Sequence, residues 1–516
     1  MPYKKKPFVI VQNNLPKVID VDDSLGRSVP INMNFVESGY LAKDTGVSLF
    51  GAVDAAMRHS LFYYKKKNGT AYFLSATGTK LQRYDFGTSA WVDLSPTFTA
   101  NAKFGFVVYD DNLYGSNGVE DYFKWDGTTF TTYASAPKGN ILEIYEDRVF
   151  VSGVTAEPLS IYPSNVGDPT TFTPTDVIKP LGTDAVTNLK NYYGLLLIFK
   201  QNTIWKITYQ YDQVVSLFIP KLELQSGNYG AASRLSVTWV ENDLWFFTGR
   251  EIRSIGFKDQ QIGVLGVNRS VISDPIKETL YTIPSSKYGV CSVFYLNRRF
   301  YLNVPIASTA TTPDTQFVCH ILFSNSWTKY NGRIKSNASE MIAVDNVIYS
   351  TKSIAPYGTL KWDSTLYNDN NVAISCEVFF QKQEDKDFND FNIYRYLDLM
   401  FKNIVGRVTV TIKEDTNSLR NTRSKSYYVG SSLEDELGAL GETDVGEVLV
   451  ADSYGQTVEA SPFYKSRVSF LSKAQSLTIG LSNNVLNETF TVAEFALFGT
   501  KEPRKLFAPS GIVSIG

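Results

Sequence analysis

The sequence has little of the chemistry from which metal centres and most catalytic sites are built. It contains two histidines, His59 and His320, and three cysteines, Cys291, Cys319 and Cys376, in 516 residues. Such low numbers disfavour zinc, haem and iron–sulfur sites, which need clustered ligands, so we expect no metal and no cofactor. Because the cysteines are odd in number and irregularly spaced, we expect reduced thiols in the core rather than a disulfide scaffold.

Charge of one sign and long apolar runs are also scarce. The 50 basic and 52 acidic residues give a net charge of −2, which argues against a surface that grips nucleic-acid phosphates throughout. The most apolar internal stretch, residues 192–199, is far shorter than the ~18 residues of a membrane span. No apolar segment long enough for a secretion signal follows the first lysines. We therefore expect a soluble protein without a membrane span, assembled in a reducing cytoplasm.

Catalytic motifs are missing as well. The sequence has no Gly-x-Ser-x-Gly elbow, no Walker-type phosphate loop and no dinucleotide fingerprint after a strand. Both histidines lie in strand-like segments, where burial is the usual outcome. Glu143, Glu146 and Asp147 are close enough in sequence to suggest a carboxylate pair, but such residues usually cap turns or face solvent. We expect no enzyme and no catalytic residue.

The sequence is rich in aromatic residues, at 14%, and in short β-branched or alternating segments separated by turn residues. This pattern predicts an all-β chain. Four Asn-Gly or Asp-Gly pairs supply the positive φ angles that tight hairpins require: Asn68-Gly69, Asn117-Gly118, Asp126-Gly127 and Asn331-Gly332.

About seven loose repeats of a four-strand meander can be aligned along the chain. The first two run from Tyr72 to Val92 and from Phe106 to Thr131, and further units start near Ile141, Val186, Leu235, Val290 and Met341. Repeated four-strand meanders indicate a β-propeller, here with about six to eight irregular blades. A pair of β-sandwich domains is the alternative that the same pattern allows.

The pattern changes after about residue 368. Residues 372–381, 394–401 and 408–412 predict longer strands, and we expect a separate β-sandwich-like domain over 368–505. The predicted organisation is therefore an N-terminal arm with a first strand that closes onto the propeller (1–50), the propeller (51–367), this domain, and a C-terminal tail (506–516) that either frays or docks on a neighbouring subunit.

A polar segment, 414–456, interrupts the predicted C-terminal domain. Between residues 434 and 452 it holds seven acidic residues and no basic one, so it cannot bury enough apolar surface to be core. We expect a projecting loop that faces a channel, a partner or only solvent, with these candidate residues: Glu434, Asp435, Glu436, Glu442, Asp444, Glu447 and Asp452. The lysine triplets 4–6 and 65–67 are interpreted as solubilising turns or as contacts to an acidic partner.

Three short segments resemble tail proteins of bacteriophages. Residues 30–38 (PINMNFVES), followed by Leu41 and Thr45-Gly46-Val47, resemble the opening of the packaged-DNA stabilisation proteins of short-tailed phages, although Thr-Gly-Val replaces a Pro-Gly-Leu-like turn. Residues 159–172 (LSIYPSNVGDPTTF) are similar to a blade pattern of such virion proteins. Residues 384–390 (EDKDFND), leading to Tyr-Arg-Tyr-Leu at 394–397, look like the start of the sandwich that follows the propeller.

The resemblance implies a structural virion protein of the tail. It implies a nozzle or hub ring, hexameric in relatives, that lies below the portal and adaptor rings, contacts distal tail proteins or fibres and continues the DNA channel. Double-stranded DNA would be retained there and pass at ejection without sequence-specific binding, and we expect an acidic or neutral channel lining. The alternatives are a tail propeller that binds a cell-surface glycan through Tyr192, Tyr193 and Tyr229, and a glycan-cleaving propeller, which the missing motifs disfavour.

Overall fold

The computed structural model describes residues 7–12, 15, 29–36, 39–94, 96–212, 217–259, 264–268, 270–380, 383–384, 392–415, 423–430, 464–474 and 476–501. The protein is an all-β chain with many small sheets, as the sequence predicts. It divides into two compact units: unit 1 holds the described parts of residues 1–21, 27–44 and 371–516, and unit 2 holds those of residues 45–370.

Four strands precede the repeated part of the chain: β1 (Pro7–Gln12), β2 (Met33–Phe35), β3 (Leu41–Lys43) and β4 (Val47–Asp54). Sheet 1 then contains β5 (Arg58–Lys65), β6 (Ala71–Thr77), β7 (Lys80–Asp85) and β8 (Ala90–Leu94). Sheet 2 contains β9 (Gly105–Tyr109), β10 (Asn112–Ser116), β11 (Tyr122–Trp125) and β12 (Phe130–Tyr133). Sheet 3 contains β13 (Ile141–Tyr145), β14 (Arg148–Ser152), β15 (Tyr162–Asn165) and β16 (Asp168–Phe172).

The same meander continues through three more sheets. Sheet 4 contains β17 (Val186–Tyr192), β18 (Leu195–Lys200), β19 (Ile204–Asp212) and β20 (Leu217–Ser226). Sheet 5 contains β21 (Val237–Val240), β22 (Asp243–Phe247), β23 (Ile252–Asp259) and β24 (Val264–Val267). Sheet 6 contains β25 (Ser292–Leu296), β26 (Arg299–Val304), β27 (Thr315–His320) and β28 (Ser326–Asn331).

Sheet 7 is completed by a strand from the other end of the unit. It begins with β29 (Ala338–Val344), β30 (Val347–Lys352) and β31 (Tyr357–Trp362), continues with β4, and ends with β32 (Asn368–Asp369) and β33 (Val372–Ala373). β31 pairs with β4 in antiparallel register, Leu360 opposite Leu49. The four-strand path β29-β30-β31-β4 therefore repeats the pattern of the six preceding sheets.

The sheets are buried by packing on one another. Buried clusters join sheets 1 and 2, 2 and 3, 3 and 4, 4 and 5, and 6 and 7, while Trp245 of sheet 5 lies 5.2 Å from Phe300 of sheet 6 between ring centroids. Sheet 7 also packs on sheet 1, through Tyr349 and Phe73. Second strands such as β18 are buried along almost their whole length, because neighbouring sheets cover both of their faces. This explains their continuous apolar sequences.

Helices are short in the part of the chain that the structure describes. Between sheets 5 and 6 lie one α-helix, α1 (Lys277–Tyr281), and the 3₁₀ segments Asp274–Ile276 and Ser285–Val290; two more 3₁₀ segments are Ile321–Phe323 and Lys335–Asn337. None of the helices in these ranges has the length and hydrophobicity needed to span a membrane. All three cysteines are free and buried, as expected.

Unit 1 is built from two antiparallel sheets. Its remaining strands are β34 (Cys376–Phe379), β35 (Gln383–Glu384), β36 (Asn392–Val405), β37 (Arg407–Asp415), β38 (Arg423–Gly430), β39 (Tyr464–Ala474), β40 (Ser476–Asn483) and β41 (Thr489–Lys501). One sheet has the order β2-β3-β41-β36-β39, with β1 also paired to β41, and the other has the order β34-β40-β37-β38, with β35 on β40. Phe380 and Phe495 meet between them, with ring centroids 4.9 Å apart.

Three boundaries differ from the sequence prediction. The segment 414–456, which we expected to be a projecting loop, contains β38, and β38 pairs with β37 with Glu414 opposite Arg423. We expected residues 1–50 to close onto the propeller, but β2 and β3 belong to unit 1 because the long strand β41 pairs with Leu41 through Val492; only β4 joins sheet 7. We also expected one strand over 372–381. Instead, Asn370 and Asn371 adopt positive φ angles of 49° and 66°, which fold β33 back beside β32, and a new strand starts at Cys376.

Candidate functional site

Several residues that the sequence singled out lie outside the described part of the chain. These are the seven acidic candidates Glu434, Asp435, Glu436, Glu442, Asp444, Glu447 and Asp452, together with the first lysine triplet and the tail 506–516. Their predicted roles stay predictions.

A buried polar cluster, the hub, ties the first strands of several sheets together. Arg234, which precedes sheet 5, donates from Nη1 to the carbonyl of Phe104 at 2.7 Å. Its Nη2 lies 3.7 Å from Oε1 of Glu340 in sheet 7. Glu340 Oε2 in turn accepts from the Leu61 amide of sheet 1 at 3.0 Å, and the Arg234 carbonyl accepts from the side chain of Asn188 in sheet 4. The hub therefore links sheets 1, 4 and 7 to the segments that open sheets 2 and 5.

The hub includes a histidine and a serine that superficially suggest a catalytic pair. His59 Nδ1 lies 2.9 Å from Ser60 Oγ, and the same Oγ accepts from the Phe104 amide at 2.8 Å. His59 is only 1% exposed, Ser60 3% and Glu340 6%. A substrate in solvent cannot reach them, so the arrangement acts in packing and not in nucleophilic catalysis.

Burial sets the charge state of the hub. Desolvation, the largest cause, lowers the pKa of His59 to about 4, while Glu340 opposes this shift and Lys103 adds to it. The histidine is therefore neutral at pH 7. Burial also lowers the pKa of Arg234, and the Glu340 carboxylate counteracts that shift.

A second polar cluster closes sheet 7, and it contains the Thr45-Gly46-Val47 motif. Arg333 forms two 2.8 Å hydrogen bonds to the carboxylate of Asp369, with side chains only 2% and 3% exposed. Arg333 and Lys335 also donate to the carbonyl of Thr45, at 2.8 and 3.1 Å. At position 46, any Cβ would lie 1.7 Å from the carbonyl oxygen of Asn368, so only glycine fits.

The turns between first and second strands adjoin one another and form what we call the turn face. It consists of the turns at 66–69, 110–111, 146–147, 193–194 and 241–242 of sheets 1 to 5. Lys67 lies 3.2 Å from Asp110, Tyr109 donates to Asp147 at 2.6 Å, and Asn191 donates to the carbonyl of Ile144 at 3.1 Å. Apart from the lysines of sheet 1, the charged residues of these turns are acidic, so the face is negative over sheets 2, 3 and 5.

The carboxylates considered at the sequence level are parts of this surface and do not form a catalytic pair. Glu146 and Asp147 occupy the turn after β13, with φ angles of 47° and 54°. Glu143 points to the neighbouring sheet, with its Oε2 3.7 Å from Nζ of Lys190. Burial raises the pKa of Glu143 and Lys190 opposes the shift, which is the behaviour of a partly desolvated packing contact.

The three tyrosines proposed for glycan binding do not share a surface. Tyr192 is buried, at 1% exposure, whereas its neighbour Tyr193 is 57% exposed. Tyr229 lies at the opposite end of β18, since Ala231 pairs with Lys200 there, and it is covered by Arg253 at 3.9 Å. The six-residue strand β18 separates the two ends by roughly 17–20 Å.

Comparison with known proteins gives no relative from which a site could be transferred. No protein-family model matches the chain, and no curated protein is significantly similar to it. Among the described residues, no group of three or more His, Cys, Asp or Glu side chains is placed to hold a metal ion.

Sequence reasoning missed two features: the hub, and the polar cluster that closes sheet 7. Arg234, Glu340, Arg333 and Asp369 are charged residues without a motif, and each is separated from its partner by tens of residues. The sequence did contain one indication of these residues: a single charged residue next to an apolar strand, as at Glu340 before Met341-Ile342-Ala343-Val344. That signal marks burial but does not name the partner.

Proposed function

We propose that the protein is a structural component of a bacteriophage tail, in which several copies form an axial nozzle or hub ring below the portal and adaptor. In this proposal the seven sheets of unit 2 are the blades of a β-propeller, and unit 1 is a β-sandwich. The ring retains packaged DNA and lets it pass at ejection, without base-specific contacts and without catalysis.

The observation that carries the proposal is the resemblance of residues 30–47 to the opening of packaged-DNA stabilisation proteins. This segment has a defined structural role in the chain. Asn32 donates to the carbonyl of Ser375 at 2.6 Å inside unit 1, while Thr45 is held by Arg333 and Lys335 inside unit 2. A motif that has side-chain contacts within unit 1 at one end and within unit 2 at the other is under stronger structural constraint than an arbitrary surface segment.

The physical character of the chain supports a mechanical role. Stacked sheets that cover one another leave few strand edges free for unwanted pairing. The buried polar cluster around Arg234 and Glu340 links several sheets and stiffens unit 2. The net charge of −2 limits attraction to DNA phosphates, so a duplex inside such a ring would slide. The glycan-binding alternative has less support, because its three tyrosines lie at two ends of sheet 4.

The test is assembly and genome retention. The full-length protein is mixed with portal–adaptor complexes, its mass is measured, and ring formation is imaged by cryo-electron microscopy; we expect an axial ring, with six copies as in the family. In parallel, DNA-filled heads that lack the protein should release nuclease-sensitive DNA, and added protein should reduce that release. Heat-denatured protein serves as the control. A chain that stays monomeric with and without portal complexes would refute the proposal.

A further inference from the structure

Four aromatic rings of sheets 4 and 5 meet on the turn face. Tyr192 stacks on Trp239 with ring centroids 5.0 Å apart, and Tyr193 stands at 86° to Trp239 at 5.3 Å. Phe257 completes the group at 5.8 Å from Tyr193. We call these four residues the Trp239 cluster. Tyr193 is 57% exposed, and Trp239 and Phe257 are partly exposed, so the cluster presents aromatic surface to solvent.

Elsewhere in unit 2 the chain covers partly exposed rings with its own cations. Arg58 lies 4.1 Å above Trp91, Arg253 lies 3.9 Å above Tyr229, and Lys335 lies 4.0 Å above Trp362. Among the side chains that the structure describes, no lysine or arginine occupies the corresponding position over the Trp239 cluster. Its rings are therefore candidates for contact with a cation from outside.

Two carboxylates follow Trp239 at the turn between β21 and β22, and one of them, that of Asp243, lies close enough to the Tyr192 hydroxyl to act on it electrostatically. Glu241 is exposed in the turn that follows Trp239 and Val240, and Asp243 begins the next strand. Tyr192 donates its hydroxyl to the carbonyl of Asn242, between them, at 2.9 Å. Neither carboxylate forms an ion pair within the described part of the chain, and partial burial raises the pKa of Asp243. Within the described part of the chain, the turn next to the rings thus carries two carboxylates without an ion-pair partner.

We propose that the Trp239 cluster is a docking site for a lysine or arginine side chain on a basic segment of a partner protein. Ring faces attract a cation through their quadrupole, and the attraction grows when the site is partly desolvated. The adjacent carboxylates add charge complementarity to a cation, whereas a neutral sugar stacked on the same rings could only donate hydrogen bonds to them. The proposal concerns unit 2 by itself, so it holds or fails independently of ring assembly.

The test uses two synthetic probes on the full-length protein. One is a ten-residue peptide of alternating arginine and serine, and the other carries citrulline, a neutral isostere, at every arginine. Binding is followed by calorimetry and by tryptophan fluorescence. We expect the arginine peptide to bind at least about fivefold more tightly than the citrulline peptide, in line with the strength of a partly desolvated cation–π contact.

Substitutions separate the rings from the general negative charge of the turn face. Tyr193→Asn removes the exposed ring and keeps a residue that tolerates the left-handed φ of 47°. This substitution should lower the affinity for the arginine peptide about fivefold. Phe86→Asn is the matched control, because Phe86 is 53% exposed in a turn of sheet 1, and it should change affinity less than twofold. Glu241→Gln should weaken binding about twofold, and gives a second readout should Tyr193→Asn unfold.

Three results would overturn the proposal. They are equal binding of the arginine and citrulline peptides, unchanged affinity of a folded Tyr193→Asn variant, and fluorescence quenching by a neutral chito-oligosaccharide while the arginine peptide has no effect. The last result would assign the cluster to a glycan instead.

Discussion

At the scale of single residues, unit 2 depends on polar side chains that sequence patterns treat as surface. Arg234 connects the segments of three sheets through its guanidinium and its carbonyl, and Arg333 pairs with Asp369 where almost no solvent reaches. Buried charges cost desolvation free energy unless they are paired. Each buried charge therefore needs its own partner, and this fixes which sheets lie next to one another. Apolar contacts are less specific, because one apolar side chain can replace another.

His59 makes the stability of unit 2 depend on pH. Its pKa is about 4 in the folded protein against 6.5 for an unperturbed histidine. Below pH 6.5, His59 therefore binds a proton in the unfolded chain but stays largely unprotonated in the folded chain until the pH approaches 4. The stability that neutral His59 provides is complete above pH 6.5 and declines as the pH falls toward 4. Between pH 7 and pH 5 this decline is about 2 kcal/mol.

The measurement is urea unfolding at pH 7 and pH 5, followed by tryptophan fluorescence. All seven tryptophans lie between residues 91 and 362, inside unit 2, so the signal reports that unit. His59→Asn should lose about 2 kcal/mol less stability between the two pH values than the wild type does. Parallel pH dependences of the two proteins would show that His59 is not the titrating group.

At the scale of secondary-structure elements, the hairpin turns are the most informative feature. All four Asn-Gly and Asp-Gly pairs have glycine at positive φ, between 65° and 104°. Three of them lie in hairpins as predicted, whereas Asn331-Gly332 ends the last strand of sheet 6 and leads to sheet 7. Other hairpins reach the same conformation without glycine, as at Asp110-Asp111 and Asn297-Arg298. Asp and Asn adopt the left-handed region at little cost, whereas Arg298 is strained there, so the strands on either side must hold the turn at Asn297-Arg298.

Relief of this strain should stabilise unit 2. Arg298 is exposed, has a φ of 59° and follows Asn297, so Arg298→Gly creates the Asn-Gly pair that two-residue hairpins prefer. We expect a gain of about 1 kcal/mol in the free energy of unfolding, measured by urea denaturation with tryptophan fluorescence. Arg298→Ala, which keeps a Cβ, is the control and should gain much less; equal gains would point to the lost charge instead.

The closure of sheet 7 should depend on one glycine. Gly46→Ala forces a Cβ into the carbonyl of Asn368 and displaces the start of β4, and we expect a loss of about 2–3 kcal/mol in the same assay. Gly289→Ala is the matched control, since nothing lies within 4 Å of a Cβ there, and it should have little effect. A Gly46→Ala variant as stable as the wild type would mean that β4 can shift without cost.

At the scale of the whole molecule, each of the two units has a buried hydrophobic interior of its own in its described part. Leu399 of β36 and Leu197 of β18 are both fully buried, the first in unit 1 and the second in unit 2. Each interior is covered by the sheets of its own unit. A substitution that destabilises one interior should therefore unfold that unit first.

Paired substitutions test this independence. Leu399→Ala should lower the unfolding midpoint seen by far-ultraviolet circular dichroism and leave the tryptophan transition nearly unchanged. Leu197→Ala should lower the tryptophan transition instead. A loss of about 2–5 kcal/mol is expected for each cavity. If either variant shifts both signals together, the two units unfold cooperatively, and they are not independent in stability.

The sequence by itself determined the strands, the glycine turns and the burial of the cysteines, because alternation, β-branching and turn chemistry are local and show up within a few residues. The repeat starts predicted near Ile141, Val186 and Leu235 lie within two residues of the first residues of β13, β17 and β21 for the same reason. The bipartite character of the chain was also visible, in the longer strands beyond residue 392.

Only the tertiary structure decided which distant segments pair. β4 completes sheet 7 across some 300 residues of chain, β2 and β3 pair in unit 1, and Arg234 reaches Phe104 and Glu340. It also placed Tyr193 beside Trp239 and separated both from Tyr229. Such pairings depend on the free energy of complete, mutually covering sheets, and a local pattern reports only that a residue is buried, not what buries it.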